Sequence, residues 1–97
     1  PEALVKRTMD QDSALDAGAT FAKVGGRLVY VTCSVLPEED EDRVAAFLAR
    51  TDGTFAVRPA TTDPELTPFL TAQGYLRLTP ASADTDGFFV AVLERAR

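Results

Sequence analysis

The sequence predicts an α/β fold, and three features of its patterning predict it. Apolar residues recur at three-to-four-residue spacing in residues 2 to 23 and again beyond Pro37, which is helical periodicity. Between these stretches Leu28, Val29, Tyr30 and Val31 form an unbroken apolar run of strand length. From Phe88 to Leu93 both alternating sets of side chains are apolar. A helix, a strand, a helix, a strand and a returning strand make helices layered on a sheet, not a bundle or a sandwich. Right-handed crossovers would place both main helices on one face of that sheet.

The first helix is expected over residues 2 to 23. Leu4, Val5, Met9, Leu15, Ala19 and Ala22 form its apolar set, in imperfect alignment, and Lys6, Arg7, Asp10, Gln11, Asp12 and Asp16 fill the positions between. Gly18 in a helix interior costs about 1 kcal/mol relative to alanine. Lys23 suits the negative carboxyl end, and Gly25 takes the left-handed conformation that closes the helix. A strand follows at Arg27 to Val31, and its consecutive apolar residues predict burial on both faces. The single cysteine, Cys33, stands where that strand runs out, at the edge where open α/β sheets bind their ligands.

Pro37 fits the first position of the second helix, and Glu38, Glu39 and Asp40 complement its positive end. The acidic run Glu38 to Asp42 is read as a solvated helix start, not a metal site. Val44, Phe47 and Leu48 form the inward stripe, and Asp52-Gly53 ends the helix with Gly53 as its cap. Thr54 to Arg58 alternates as a short strand ended by Pro59. Pro64 to Leu70 suits one or two helical turns closed by Gly74. Tyr75 to Thr79 is a short strand, Ala81 to Thr85 a loop, and Asp86-Gly87 the turn into the last strand, which should be central because both its faces are apolar.

Composition excludes several classes. Of 97 residues 45 % are hydrophobic and 26 % charged, and no apolar run approaches the length that crosses a bilayer, so no membrane partner is expected. One cysteine rules out an internal disulfide framework and, with no signal-like amino terminus, points to the cytoplasm. One Cys and no His also rule out the usual zinc sites, and no metal is expected. A net charge of -5 leaves the chain without the basic surface that draws proteins to phosphate backbones. The length is small for an enzyme that must hold a cofactor and a macromolecule, so a piece of a larger protein is expected.

Gly25-Gly26-Arg27-Leu28-Val29-Tyr30-Val31-Thr32-Cys33-Ser34-Val35-Leu36-Pro37-Glu38-Glu39 resembles the Thr-Cys-Ser motif region of the Sun/Fmu (Nop/Sun) family of RNA cytosine-C5 methyltransferases. Asp86-Gly87-Phe88-Phe89-Val90-Ala91 resembles that family's final strand, and the two segments occur in the family's order. Many methyltransferases share the Gly-Gly-Arg-Leu-Val turn and strand; the Thr-Cys-Ser continuation is what discriminates.

The resemblance implies that residues 1–97 are the carboxyl-terminal part of a class I, Rossmann-like methyltransferase domain, with two main helices on one sheet face and the last strand antiparallel and central. It implies that Cys33 is the nucleophile that attacks C6 of the target cytosine. Thr32 and Ser34 would form the active-site turn, and Asp86 and Gly87 a candidate active-site loop. The implied partner is RNA, most simply ribosomal RNA, and the implied cofactor is S-adenosylmethionine, held mainly by upstream segments. No cofactor-binding residue is assigned to this stretch, which alone is expected to be inactive and to self-associate through an uncovered strand edge and sheet face. The competing reading is a non-catalytic α/β interaction module whose cysteine is buried and inert, since a lone cysteine at a strand end is more often a small core residue than a catalyst.

Overall fold

The computed structural model describes residues 2–34, 36–79 and 87–97. In chain order the elements are helix α1 (Glu2–Ala19), strand β1 (Arg27–Thr32), a 3-10 turn (Pro37–Glu39), helix α2 (Glu41–Thr51), strand β2 (Phe55–Arg58), a second 3-10 turn (Thr67–Phe69), and strands β3 (Leu76–Leu78) and β4 (Phe88–Arg95). The expected loop at Ala81 to Thr85 and the expected turn residue Asp86 lie outside the described residues.

The four strands make one sheet, and each pairing between them contains β4. β1 pairs with it antiparallel from Arg27↔Glu94 to Thr32↔Phe89. β2 pairs with its second half, Phe55↔Arg95 to Arg58↔Val92, and β3 with its first half, Leu76↔Val90 to Leu78↔Phe88, both antiparallel. With β1 occupying one edge of β4, the other edge is shared by β2 and β3 in tandem, as one strand interrupted by residues 59–75. The neck of that excursion is closed by the Ala60 N–H donating to the Gly74 carbonyl at 3.0 Å. β1 and β2, each antiparallel to β4, run parallel to one another, and α2 is the crossover that joins them. The final strand is central, as its doubly apolar pattern predicts, and antiparallel, as the family resemblance implies.

The core fills one face of this sheet. Leu15 of α1 and Val44 and Phe47 of α2 pack against Tyr30, Phe55, Phe89, Ala91 and Leu93. Phe89, Ala91 and Leu93 are alternate residues of β4, so both helices lie on the same side. Phe47 and Phe89 are fully buried, each worth roughly 1.5–3 kcal/mol. Their rings meet others in tilted or edge-on contact, Phe47 with Phe55 at 5.1 Å and Phe89 with Tyr75 at 5.2 Å between centroids.

Four local expectations are corrected. α1 ends at Ala19, not residue 23: the N–H groups of Thr20, Phe21 and Ala22 each donate three residues back, and the Thr20 hydroxyl donates to the Ala17 carbonyl. The chain thus tightens into three-residue turns before Gly25, which is left-handed at φ 81°. Gly18 also has a packing reason, because a Cβ there would stand 2.7 Å from Leu28 Cδ1; the glycine lets α1 approach β1. β1 is not covered on both faces. Tyr30 is buried, but Val29 and Val31 are 54 % and 58 % exposed, because nothing among the described residues lies over the outer face of this edge strand. The second helix is broken at Asp40 (φ -113°, ψ -97°) into a 3-10 turn and α2, since the Asp40 side chain turns inward. Its carboxyl cap is Asp52, itself left-handed (φ 46°, ψ 65°), with Gly53 following at φ 79°.

Candidate active site

The carboxyl end of β1 delivers Cys33 to the rim of the sheet. The last paired residue of β1 is Thr32, opposite Phe89, and Phe89 on its other side is opposite Arg77. Thr32, Phe89 and Arg77 therefore form a row across three strands, all directed to the helical face. Asp40 closes over that row. The Thr32 hydroxyl donates to Asp40 Oδ1 at 2.6 Å, and Arg77 Nη2 donates to Asp40 Oδ2 at 3.0 Å and also to Glu41. The Arg77 guanidinium sits 5.2 Å above the Phe89 ring, a cation–π contact that holds it in the row.

Glu39 braces the other side of the thiol. Its Oε2 accepts the Ser34 hydroxyl at 2.8 Å, and its Oε1 accepts Arg7 Nε at 3.0 Å and Gln11 Nε2 at 3.1 Å from α1. The Tyr30 hydroxyl donates to the Glu39 carbonyl at 2.6 Å and fixes the backbone as well. The two hydroxyls also accept from the turn itself: Thr32 Oγ1 from the Ser34 N–H and Ser34 Oγ from the Leu36 N–H, both at 3.0 Å. Cys33 stands exposed between these two anchored residues.

The two carboxylates have opposite electrostatics. The Ser34 hydrogen bond, with those of Arg7 and Gln11, outweighs burial and holds Glu39 below the ordinary carboxylate range. Burial pushes Asp40 up, against the Thr32 hydrogen bond and the Arg77 charge. Burial, then the charges of Asp40 and Glu39, raises the Tyr30 phenol, which keeps it a proton donor to the Glu39 carbonyl.

Of the residues singled out in the sequence, Thr32, Cys33 and Ser34 are contiguous on this turn. Gly87 (φ 91°) leads into β4 at the same end of the sheet, where β1 leaves it, and Asp86 lies outside the described residues. The acidic run is not a solvated helix start throughout. Glu39 is 5 % exposed and Asp40 fully buried, because each meets hydroxyl and cationic donors from distant segments. Sequence reasoning missed Glu39, Asp40, Arg7 and Arg77; one trace was Arg77, the single charge inside the apolar alternation Leu76-Arg77-Leu78. No group of three or more His, Cys, Asp or Glu among the described residues is placed to hold a metal, and no helix among them is long and apolar enough to cross a membrane. The burial of Cys33 that the competing reading expects is corrected, since Cys33 lies past the last ladder pair and is exposed.

Two helices on one face of a sheet whose antiparallel final strand is central is the mixed α/β architecture of Rossmann-like methyltransferases. The solved methyltransferase homolog protein from Pyrococcus horikoshii is similar with a TM-score of 0.74 and 29 % identity, over 97 % of this chain and 32 % of that one. The chain belongs to the family described as 16S rRNA methyltransferase RsmB/F, whose model matches residues 1–94. It is 43 % identical over 83 residues to ribosomal RNA small subunit methyltransferase B of Enterobacter sp. (strain 638), spanning 86 % of this chain and 17 % of that protein. Against the 28S rRNA (cytosine-C(5))-methyltransferase of Mus musculus it is 45 % identical over 73 residues, 72 % of this chain and 16 % of that protein. The chain thus spans a minor part of the length of the curated relatives it matches.

Proposed function

We propose that this chain is the carboxyl-terminal part of the catalytic domain of a cytoplasmic RNA cytosine-C5 methyltransferase acting on ribosomal RNA, and that Cys33 is its nucleophile. The observation that carries the reading is an exposed thiol on a turn whose two neighbouring side chains are tied to buried carboxylates, in a chain of this family. A nucleophile held by locked supports is the arrangement covalent catalysis requires.

In this mechanism Sγ of Cys33 adds to C6 of the cytosine, and the ring becomes an enamine whose C5 is nucleophilic. Bound S-adenosylmethionine would supply the electrophilic methyl group for C5, its sulfonium S–CH3 bond breaking to leave S-adenosylhomocysteine. A base removes the C5 proton, the sulfur leaves from C6, and the ring regains its aromaticity. This chain contributes the nucleophile and the turn that aims it, with Gly87 entering β4 at the same end of the sheet. S-adenosylmethionine is held mainly by upstream segments, and so is the surface that attracts RNA, because the -5 charge of this chain opposes a phosphate backbone. Alone, the chain is inactive and self-associates along the open edge and outer face of β1.

The test uses the intact enzyme and RNA carrying 5-fluorocytosine, whose fluorine blocks the elimination and leaves the protein attached. Cys33→Ala is expected to abolish both methyl transfer and the covalent adduct. An adduct that still forms in Cys33→Ala would assign the nucleophile elsewhere.

A further inference from the structure

We infer that Glu39 and Asp40 are positioning residues for the Cys33 thiol, acting through the hydroxyls of Ser34 and Thr32. The inference rests on the reading of Cys33 as the nucleophile and adds what holds it.

Past Thr32 the backbone leaves the β1 ladder, so sheet hydrogen bonds do not fix Cys33. Two relays do so instead, each running from a buried carboxylate through a hydroxyl to a backbone N–H. In one, Asp40 accepts the Thr32 hydroxyl, and Thr32 Oγ1 accepts the Ser34 N–H. In the other, Glu39 accepts the Ser34 hydroxyl, and Ser34 Oγ accepts the Leu36 N–H. An ionised carboxylate only accepts, so each hydroxyl hydrogen must point at it, which turns the oxygen lone pairs toward the turn. The direction of each relay is therefore set at the carboxylate. Its outer end is anchored on a different element, Glu39 by Arg7 and Gln11 of α1 and Asp40 by Arg77 of β3.

Stability alone gives a poor account of these acids. A buried ionised group is costly, and well-packed apolar residues of similar volume often serve the fold as well or better. Asp40, fully buried, bears that cost in its raised pKa. What apolar replacements would not provide is a fixed direction for the two hydroxyls on either side of the thiol.

The experiment follows the rate of alkylation of Cys33 by iodoacetamide across pH in the intact enzyme, with the Cys33 peptide read by mass spectrometry and folding of every variant checked by its melting transition. Glu39→Gln, Asp40→Asn, Ser34→Ala and Thr32→Val are each expected to change the pH–rate profile, by about fivefold in rate, the equivalent of one net hydrogen bond. Glu39→Gln should add nothing in the Ser34→Ala background, nor Asp40→Asn in the Thr32→Val background. The hydroxyl-preserving Ser34→Thr and Thr32→Ser should retain the parent profile. Unchanged profiles in folded variants, or effects that simply add within each pair, would overturn the inference. If Asp40→Asn does not fold, the Glu39–Ser34 pair decides alone. No arm needs RNA or a methyl donor, so failure here is distinct from persistence of the RNA adduct in Cys33→Ala, which would refute the proposed function.

Discussion

At the scale of single residues, the adjacent acids Glu39 and Asp40 give opposite pH dependences. Glu39 titrates below its ordinary value of 4.5 in the fold, so its stabilisation is fully present above 4.5 and is lost as pH falls through the lowered folded value. The stability difference between the parent and Glu39→Gln should therefore shrink on acidification below 4.5, as measured by urea unfolding at a series of pH values. Asp40 titrates above its ordinary 3.8, so the folded chain binds its proton more readily and loses stability as pH rises from 3.8 through the raised value. The parent should thus gain relative to Asp40→Asn on acidification through that window. Two slopes of the same sign would contradict the geometry around one of them. None of this was legible in the sequence, where both residues belong to an acidic run with helix-start chemistry. Their burial is set by donors far away in the chain, Arg7 and Arg77, which only the folded sheet brings near. Thr32, Cys33 and Ser34 were legible because they are contiguous, and a local motif needs no tertiary information.

At the scale of elements, the end of α2 is where local conformation is costly. Asp52 is left-handed, a region in which a side chain on Cβ is crowded, and the hydrogen bond that Arg97 makes there is to the Asp52 backbone carbonyl. Asp52→Gly removes the crowding and keeps that acceptor. It is expected to raise stability by about 0.5–1 kcal/mol, read as a higher urea midpoint at unchanged slope. Element types and order were legible because each carries its own periodicity. β4 announced its central place, since both alternating sets of its side chains are apolar, and it is paired along both edges. Ends were less legible: α1 gives way to three-residue turns after Ala19, and the second helix breaks where Asp40 turns inward to donors from β1 and β3, which local periodicity does not report. The apolar run of β1 misled about its cover, because the sequence reports what a strand can bury and not whether a neighbour is there.

At the scale of the whole molecule, Val29 and Val31 lie exposed on a strand whose only described pairing is with β4, and Val5 and Met9 of α1 are exposed as well. An open apolar edge is a template for a second copy, and charge on such an edge blocks pairing. Light scattering at rising concentration should show self-association of the chain, and Val31→Lys should shift it toward monomer. A parent that stays monomeric at high concentration would remove the proposal. The sheet also has a consequence in time. Among the described strands every ladder contains β4, and β4 follows all its partners in the chain. A ribosome adds roughly 5–20 residues per second, so β1, β2 and β3 each emerge before β4, the described strand with which each of them pairs. The described ladders can therefore close only once residues 88–95 are synthesised, and until then the apolar residues of β1, β2 and β3 lack the partner that covers their edges.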